Sequence, residues 1–309
     1  MSELIKRQHY VWRNYLRAWA DGESIYTLFK TQKEIRKTAL MGVAQEKYFY
    51  ELPELTVVEE AKLKTFINHF SNPDNQDLSN DFFNLFTAHN SIIRNFDPSK
   101  STEEEKKVFE KEVRKIKVNS MEKLHGHIES LGDKLLNIAS CDDLDSLTED
   151  EIYYSIIFLC FQFIRTKPRQ KAIEKEINGH QIADFSKKVW NILTFTLAFN
   201  MARAISIHKD RKIVLLKNNT DLNFITGDQP SFNIDTSLNE ESLPKVLELY
   251  YPISPKLALI VNINSSLDQF LEKEISIDEV NTYNLKLLEN SNFFVFGTDK
   301  DQLEIYNDA

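Results

Sequence analysis

The sequence predicts an α+β fold, in which strands from both ends of the chain form a sheet and the middle is helical. Segments rich in aromatic and β-branched residues lie near the two ends, whereas residues 57–208 carry apolar side chains at helical spacing. Only 7 Gly and 8 Pro occur in 309 residues. This scarcity disfavours architectures built on glycine-rich turns, such as Rossmann and P-loop folds. We therefore expect a single α+β unit over 1–309, with 57–208 as a helical insertion.

The N-terminal segment is predicted to hold one short helix and a β-hairpin. The helix is expected over Tyr10 to Ala20, after which Asp21-Gly22 favours a turn. The strands are expected over Ser24 to Lys30 and Glu34 to Leu40. Because an isolated two-stranded ribbon is marginally stable in water, we expect this hairpin to pair with or pack on the C-terminal sheet.

The central region is predicted to be a helical bundle. Asp81 to Arg94 and Thr102 to Ile138 both have helical spacing, and the second carries an apolar stripe typical of bundle core. The stripe consists of Met121, Leu124, Ile128, Leu131, Leu135 and Ile138. Thr148 and Glu151 match a capping box, so we expect a helix to begin there and to be stopped by Pro168.

The last third of the chain is predicted to change from helix to strand. A central helix is expected over Ile182 to Ile207, and one further helix among the strands over Asp278 to Glu289. The strands are expected at Lys212 to Lys217, Asn223 to Thr226, Leu247 to Tyr251, Leu257 to Asn262 and Phe293 to Gly297.

Charge and composition are those of a soluble globular chain. The 47 Asp and Glu outnumber the 38 Lys and Arg, so the formal charge is −9, which disfavours indiscriminate nucleic-acid binding but permits a local basic groove. Cys141 and Cys160 are too few and too far apart for a disulfide framework, a redox pair or a Cys-based zinc site. No apolar run approaches the roughly 20 residues that cross a bilayer, and the first residues lack a secretory signal. We expect a cytoplasmic protein without membrane contact.

Two short patterns resemble known sites, although common nucleotide-binding, zinc-protease and esterase motifs are absent from the sequence. His125-Gly-His127 looks like a metal pair, but residues two apart on a helix point away from each other. Arg203 and His208 have the R-x-x-x-x-H spacing of HEPN-type ribonucleases, in which the arginine steadies the phosphate and the histidine shuttles protons. That spacing arises easily by chance. The sequence implies no cofactor and leaves a divalent metal open.

Five segments occur together in the order found in one family. They are Gln8-His9-Tyr10-Val11 with Tyr15-Leu16-Arg17, Gln162-Phe163-Ile164-Arg165-Thr166, Phe224-Ile225-Thr226-Gly227-Asp228-Gln229-Pro230, Tyr251-Pro252-Ile253-Ser254-Pro255, and Asn284 ahead of Phe293 to Gly297. From end to end the chain resembles the domain of unknown function 4238 family, which is mostly bacterial and typically reads Q-H-Y-V-P, Q-x-x-R-T-P and T-S-D-N-P. The chain departs from these motifs at Trp12, Lys167, Gly227 and Gln229. The family has no established activity, so the resemblance indicates site residues and leaves the chemistry open.

The polar residues of these segments are the candidate site. Gln162 and Arg165 lie three apart on a mostly apolar helix and therefore share an inward face. A buried guanidinium needs an acceptor, so Arg165 is expected to meet a carboxylate such as Asp228 or an anionic ligand. Asp228 follows a strand-like segment, where it favours a turn and where catalytic carboxylates also occur. His9 adds a group that titrates near neutral pH.

We expect His9, Gln162, Arg165 and Asp228 to form one pocket where the sheet meets the helical insertion. The residues expected to contact a ligand there are Tyr10, Arg13, Arg17, Thr166 and Ser254. The expected reaction is hydrolysis of a phosphodiester or nucleotide, in which Arg165 stabilises negative charge while His9 and Asp228 share acid and base roles. The alternatives are a non-catalytic sensor or interaction protein with a structural polar network, and an HEPN-like ribonuclease. An anionic small molecule or a nucleic acid fits as partner, and a protein partner or homo-oligomer stays open.

Overall fold

The computed structural model describes residues 3–176, 183–234, 247–263 and 271–307. The helices are α1 (Arg13–Leu16), α2 (Val57–Phe70), α3 (Gln76–Asn95), α4 (Glu103–Leu131), α5 (Asp133–Leu136), α6 (Cys141–Asp145), α7 (Glu149–Ile164), α8 (Lys167–Glu176), α9 (Ala183–Ser206), α10 (Ile277–Asn290) and α11 (Lys300–Glu304). The strands are β1 (Arg7–His9), β2 (Ser24–Phe29), β3 (Glu34–Ala39), β4 (Gln45–Lys47), β5 (Arg211–Lys217), β6 (Thr226–Gly227), β7 (Phe232–Asn233), β8 (Leu247–Ser254), β9 (Leu257–Ile263), β10 (Glu272–Glu274) and β11 (Phe294–Gly297).

The α+β class is confirmed, because strands from both ends flank a helical middle. The strands form sheets in the orders β10-β5-β9-β8-β7, β3-β2-β11-β6 and β1-β4. Within the described ranges, the strand pairings are antiparallel except that of β10 with β5, which is parallel. The C-terminal strands are therefore divided between two sheets, where the sequence predicted one. The treatment of 1–309 as one unit with an insertion at 57–208 stays a prediction.

The five-stranded sheet is buried on both faces. Along β5, Leu215 belongs to a hydrophobic cluster shared with the helical bundle, whereas Val214 and Leu216 belong to a second cluster shared with α10. Successive side chains of a strand point to opposite faces, so this alternation places one cluster on each side of the sheet. Burial on both faces explains why the strands are continuous apolar runs rather than alternating ones.

The N-terminal hairpin pairs with a C-terminal strand, which confirms that prediction. Strand β2 lies between β3 and β11, and Leu28 is opposite Val295 in the register. The turn expected at Asp21-Gly22 is present, and Gly22 has a φ of +62°, a conformation that favours glycine.

The predicted apolar stripe lies in the hydrophobic core of the helical bundle. Met121, Ile128, Leu135 and Ile138 are buried, and the other two members of the stripe pack against the same cluster. Thr148 and Glu151 form the predicted capping box at the start of α7. Pro168 does not stop that helix.

Helix α7 instead ends at Ile164 with Arg165 as its C-cap, and Pro168 is the second residue of α8. Proline is tolerated in the first turn of a helix, where its missing N–H has no intrahelical partner to lose.

Three further expectations are corrected by hydrogen bonds that the sequence pattern does not reveal. The helix predicted over Tyr10 to Ala20 is only α1 and one 3-10 turn, because the Tyr10 N–H donates to the Ala44 carbonyl and continues the β1–β4 ribbon. The strand predicted over Asn223 to Thr226 shrinks to β6, because the Ile225 N–H donates to the Asn284 side chain. Helix α11 was not predicted; it is short and capped by the Asp299 side chain.

Candidate active site

Strand β1 presents His9 by burying its neighbour. The Gln8 side chain is fully buried, where its Nε2 donates to the Val118 carbonyl at 2.8 Å and its Oε1 accepts from the Tyr50 N–H at 2.7 Å. Adjacent residues of a strand face opposite sides, so fixing Gln8 inward directs His9 to the other face. Strand β4 completes the ribbon, with Gln45 opposite His9.

A cavity of about 230 Å³ lies on that face of the ribbon. Its walls come from β1, from the segment at α1 and from α4. The lining residues are Arg7, His9, Trp12, Arg13, Met41, Glu122, His125, Gly126 and Glu129. The α4 members are spaced by three, four and seven residues, which places them on one face of the helix. We call this space the ribbon cavity.

Arg165 lies behind the ribbon cavity and pairs with one of its carboxylates. Its Nη2 is 2.7 Å from Glu129 Oε1 and 3.3 Å from Gln162 Oε1. The Arg165 side chain is 1% exposed and that of Glu129 is 14% exposed, so the ion pair is shielded from water. The predicted pairing of Arg165 with Asp228 is wrong, because the packing of α4 against α7 supplies Glu129 instead.

Several buried polar atoms around the ribbon cavity have no hydrogen-bond partner among the described residues. They are His9 Nε2, Glu122 Oε2, His125 Nδ1, Gln162 Nε2, and Nε and Nη1 of Arg165. Buried polar groups in folded proteins are normally paired, and unpaired ones concentrate where a ligand or a reaction uses them. The cluster therefore marks this region as the candidate functional site.

Burial moves the pKa values of the site residues. It raises the pKa of Glu122 to about 7, with the nearby charge of Glu129 acting in the same direction. It lowers the pKa of His9, helped by Arg13 and Arg165 and opposed by a hydrogen bond to the Leu40 backbone. Near neutral pH the histidine is therefore an available base and the glutamate is partly an available acid.

Burial also shifts the pKa values of Glu129 and His125, which line the same cavity. Burial raises the pKa of Glu129, and the Arg165 guanidinium opposes that rise through charge and a hydrogen bond. Because arginine stays protonated in proteins, its positive charge holds Glu129 as the carboxylate partner of the pair. Burial lowers the pKa of His125 well below its usual value, so this imidazole is neutral.

Asp228 does not belong to this site. Its two carboxylate oxygens accept the N–H groups of Asn292 and Phe293, each at 2.8 Å, and it is not among the residues that line the ribbon cavity. Burial raises the pKa of Asp228 to about 6, against these hydrogen bonds. The Asp228 carboxylate joins the end of β6 to the segment before β11, and it does not share the lining of the ribbon cavity with His9.

Of the residues predicted to contact a ligand, some line the ribbon cavity and others do not. Arg13 lines the ribbon cavity, and its Nη1 is 2.6 Å from Met41 Sδ. Arg17 instead forms an exposed ion pair with Glu23 at 2.8 Å.

The other three predicted contacts have structural partners. Tyr10 is buried against Phe49, with ring centroids 5.3 Å apart. Thr166 donates to the Gln229 side chain, and Ser254 Oγ accepts the Leu257 N–H at 3.0 Å in the turn between β8 and β9.

The two site-like patterns of the sequence are not arranged as the metal pair and the ribonuclease centre that they resemble. His125 is buried against the Tyr50 ring, whereas His127 is exposed. Within the described residues, no group of three or more His, Cys, Asp or Glu side chains is arranged to hold a metal ion. Arg203 pairs with Asp74 at 2.9 Å, and His208 Nδ1 accepts a backbone N–H at 3.4 Å.

Sequence reasoning missed Arg7, Trp12, Glu122 and Glu129. The signal for the two glutamates is positional: each immediately follows a core residue of the apolar stripe, Met121 and Ile128, and thus sits at the border of the buried face.

A family model described as "Protein of unknown function (DUF4238)" matches residues 7–301. The chain belongs to this family. No curated protein and no solved structure matches it. Among the described residues, no helix has the length and apolar character required to span a membrane.

The residues by which this DUF4238 chain resembles its family have two roles. His9, Gln162 and Arg165 meet at or behind the ribbon cavity. Thr226 and Asp228 instead hold the sheets together, since Tyr15 Oη and Thr226 Oγ1 are hydrogen-bonded at 2.6 Å and Asp228 binds the backbone before β11. The family motifs thus include residues of the candidate site and residues that hold the sheets together.

Proposed function

We propose that this protein is a hydrolase that acts on a phosphodiester or a phosphate-bearing nucleotide in the ribbon cavity. The observation that carries the proposal is the presence in one cavity of an acid, Glu122, and a base, His9, whose pKa values are displaced in opposite directions, upward for the glutamate and downward for the histidine. Such displaced pairs are typical of acid–base catalysis.

The charge of the cavity favours an anionic substrate. Arg7 and Arg13 line it, while the negative charge of Glu129 is neutralised by Arg165 behind it. Two arginines therefore outweigh the partly protonated Glu122, in a chain whose overall charge is −9. Guanidinium groups bind phosphate through paired N–H donors, and Trp12 adds an aromatic surface to the same wall.

The reaction follows from these assignments. Water adds its oxygen to phosphorus and gives one proton to the unpaired Nε2 of neutral His9. The P–O bond to the leaving group breaks with its electron pair on the leaving oxygen, which takes the proton of Glu122. Arg7 and Arg13 stabilise the charge on the transferring phosphoryl group. Solvent then returns the proton from His9 to Glu122.

Arg165 takes a different role from the one predicted. Its burial and its pairing with Glu129 and Gln162 make it a positioning residue behind the cavity rather than a clamp on the substrate. The non-catalytic alternative, a sensor or interaction protein, also requires this polar network. The two functions are distinguished by turnover, because a sensor would bind the anion without hydrolysing it.

The test is a screen of mononucleotides, dinucleotides and single-stranded oligonucleotides for phosphate-bond cleavage. His9→Asn and Glu122→Gln are each expected to lower kcat by about 100-fold or more, the usual share of acid–base catalysis. The matched controls are His127→Asn and Glu110→Gln, which change exposed residues of α4 and leave activity unchanged. Binding of an anion to the ribbon cavity without turnover of any substrate would establish the sensor instead, and activity that survives both cavity variants would refute the proposal.

A further inference from the structure

A second cavity lies on the side of the β1–β4 ribbon opposite the ribbon cavity. It has a volume of about 350 Å³ and is lined by the end of β4, the segment that follows it, α8 and α9. Glu46, which lines it, is opposite Gln8 in the register, whereas His9 of the ribbon cavity belongs to the other face. The two cavities are thus separate spaces divided by one ribbon. We call the second one the lysine cavity.

One wall of the lysine cavity is aromatic. It contains Tyr48, Phe49 and Trp190, and Asn191 Nδ2 donates to the Phe49 carbonyl at 2.7 Å, which joins α9 to the segment after β4. Tyr48 is held at a φ of +57°, a conformation uncommon for a residue with a side chain. Trp190 is 4% exposed, and its Nε1 has no acceptor among the described residues. A planar ring can pack against these aromatic side chains, and an acceptor atom on that ring can receive the Trp190 Nε1–H.

The other wall is cationic. Lys167, Lys171 and Lys187 line it together with the carboxylates of Glu46 and Glu174. Among the described residues, Lys167 pairs with Glu46, and Glu174 accepts a hydrogen bond from the Gln170 side chain at 2.9 Å. The Lys171 ammonium lies 4.2 Å from the Phe293 ring centroid, and Lys187 forms no ion pair with a described residue. Three lysines outnumber two carboxylates in this lining, and an excess of cations attracts an anionic group into a cavity.

We propose that the lysine cavity binds a planar aromatic ring carrying an anionic group, with a nucleoside monophosphate as the representative ligand. The ring stacks among Tyr48, Phe49 and Trp190, and the anionic group binds Lys171 and Lys187. The volume lies within the range of about 300–1,000 Å³ that small-molecule sites occupy. This proposal does not depend on the hydrolase, because the two cavities have no lining residue in common.

The test titrates the full chain with AMP by calorimetry, and then with adenosine and inorganic phosphate separately. Lys187→Ala is expected to weaken AMP binding about 10-fold or more, because it removes a charge-assisted hydrogen bond. Trp190→Phe keeps the ring and is expected to weaken binding about 3- to 10-fold, the share of one neutral hydrogen bond. Lys188→Ala is the matched control, since its ammonium pairs with Glu59 outside the cavity.

The outcomes are distinguishable. AMP that binds more tightly than adenosine and phosphate, with the loss confined to Lys187→Ala and Trp190→Phe, supports the proposal. Binding lost in Arg13→Ala but kept in Lys187→Ala places the nucleotide in the ribbon cavity and overturns it. Phosphate that binds as tightly as AMP shows an anion site without ring recognition, and no AMP binding at millimolar concentration shows no site; either result also overturns it.

Discussion

Replacing Arg165 by methionine tests the buried ion pair directly. The change leaves the Glu129 carboxylate unpaired in a largely dry environment, and breaking a buried pair costs about 3 to 5 kcal/mol. Because the Glu129 side chain keeps 14% exposure, we expect the lower figure, about 3 kcal/mol. For 309 residues, with an unfolding entropy of about 2.1 cal/mol/K per residue, this lowers the melting temperature by about 5 °C.

The loss depends on pH with a definite sign. Burial already raises the pKa of Glu129, and removing the opposing guanidinium raises it further. A carboxyl group with a raised pKa in the folded state destabilises that state once it ionises. The deficit of the variant is therefore small below the unfolded pKa of about 4.3 and grows until the pH passes the folded pKa.

Urea unfolding of wild type and Arg165→Met from pH 4 to pH 8 measures this dependence. Arg165→Met/Glu129→Leu removes both charges and is expected to recover most of the loss at pH 8. Arg203→Met, which breaks the exposed pair with Asp74, is the control and should cost less than about 1 kcal/mol. A deficit that is equal at all pH values, or a double variant no more stable than the single one, would show that the charge of Glu129 is not the cause.

Three other predictions concern the ribbon cavity and the structural contacts of Asp228 and Gly227. The pH profile of hydrolysis should be a bell, which falls on the acid side as His9 gains a proton and on the alkaline side above about pH 7 as Glu122 loses one; a profile flat from pH 5 to 9 contradicts these roles. Asp228→Asn should lower stability in urea by about 1 to 2 kcal/mol without changing kcat, because it loses one of two backbone hydrogen bonds; an unchanged stability with lost activity would return Asp228 to the site. Gly227→Ser should destabilise the chain by about 1 to 3 kcal/mol, because its Cβ overlaps Ser291 Oγ, and adding Ser291→Gly should recover most of the loss in thermal melts.

The sequence predicted best what is decided by neighbours along the chain. The Thr148–Glu151 capping box and the apolar stripe on α4 depend on spacings of three and four residues, and both are present as expected. The hairpin was predicted to join the C-terminal strands for an energetic reason rather than a pattern, because two strands alone are marginal. Its pairing of Leu28 with Val295 confirms that reasoning.

The identity of the residue that pairs with Arg165 could not be predicted from the sequence. Burial of a guanidinium predicts that a carboxylate meets it, and this is correct, but 47 acidic residues are available and only the packing of α7 against α4 selects Glu129. Likewise, Glu122 is one of many glutamates on a highly charged helix. Its environment depends on what covers the helix, and a raised pKa has no signature in the sequence.

The pairing of β2 with β11 has a consequence for the order in which the molecule is assembled. The Lys30 ammonium contacts the Leu288 carbonyl, 258 residues further along the chain. During synthesis, therefore, the hairpin waits for at least these 258 residues before its second neighbour emerges. Until then β2 is an open edge that another nascent or truncated copy can pair with. Chains cut before β11 should consequently associate through their N-terminal hairpins, and the presence of β11 closes that edge.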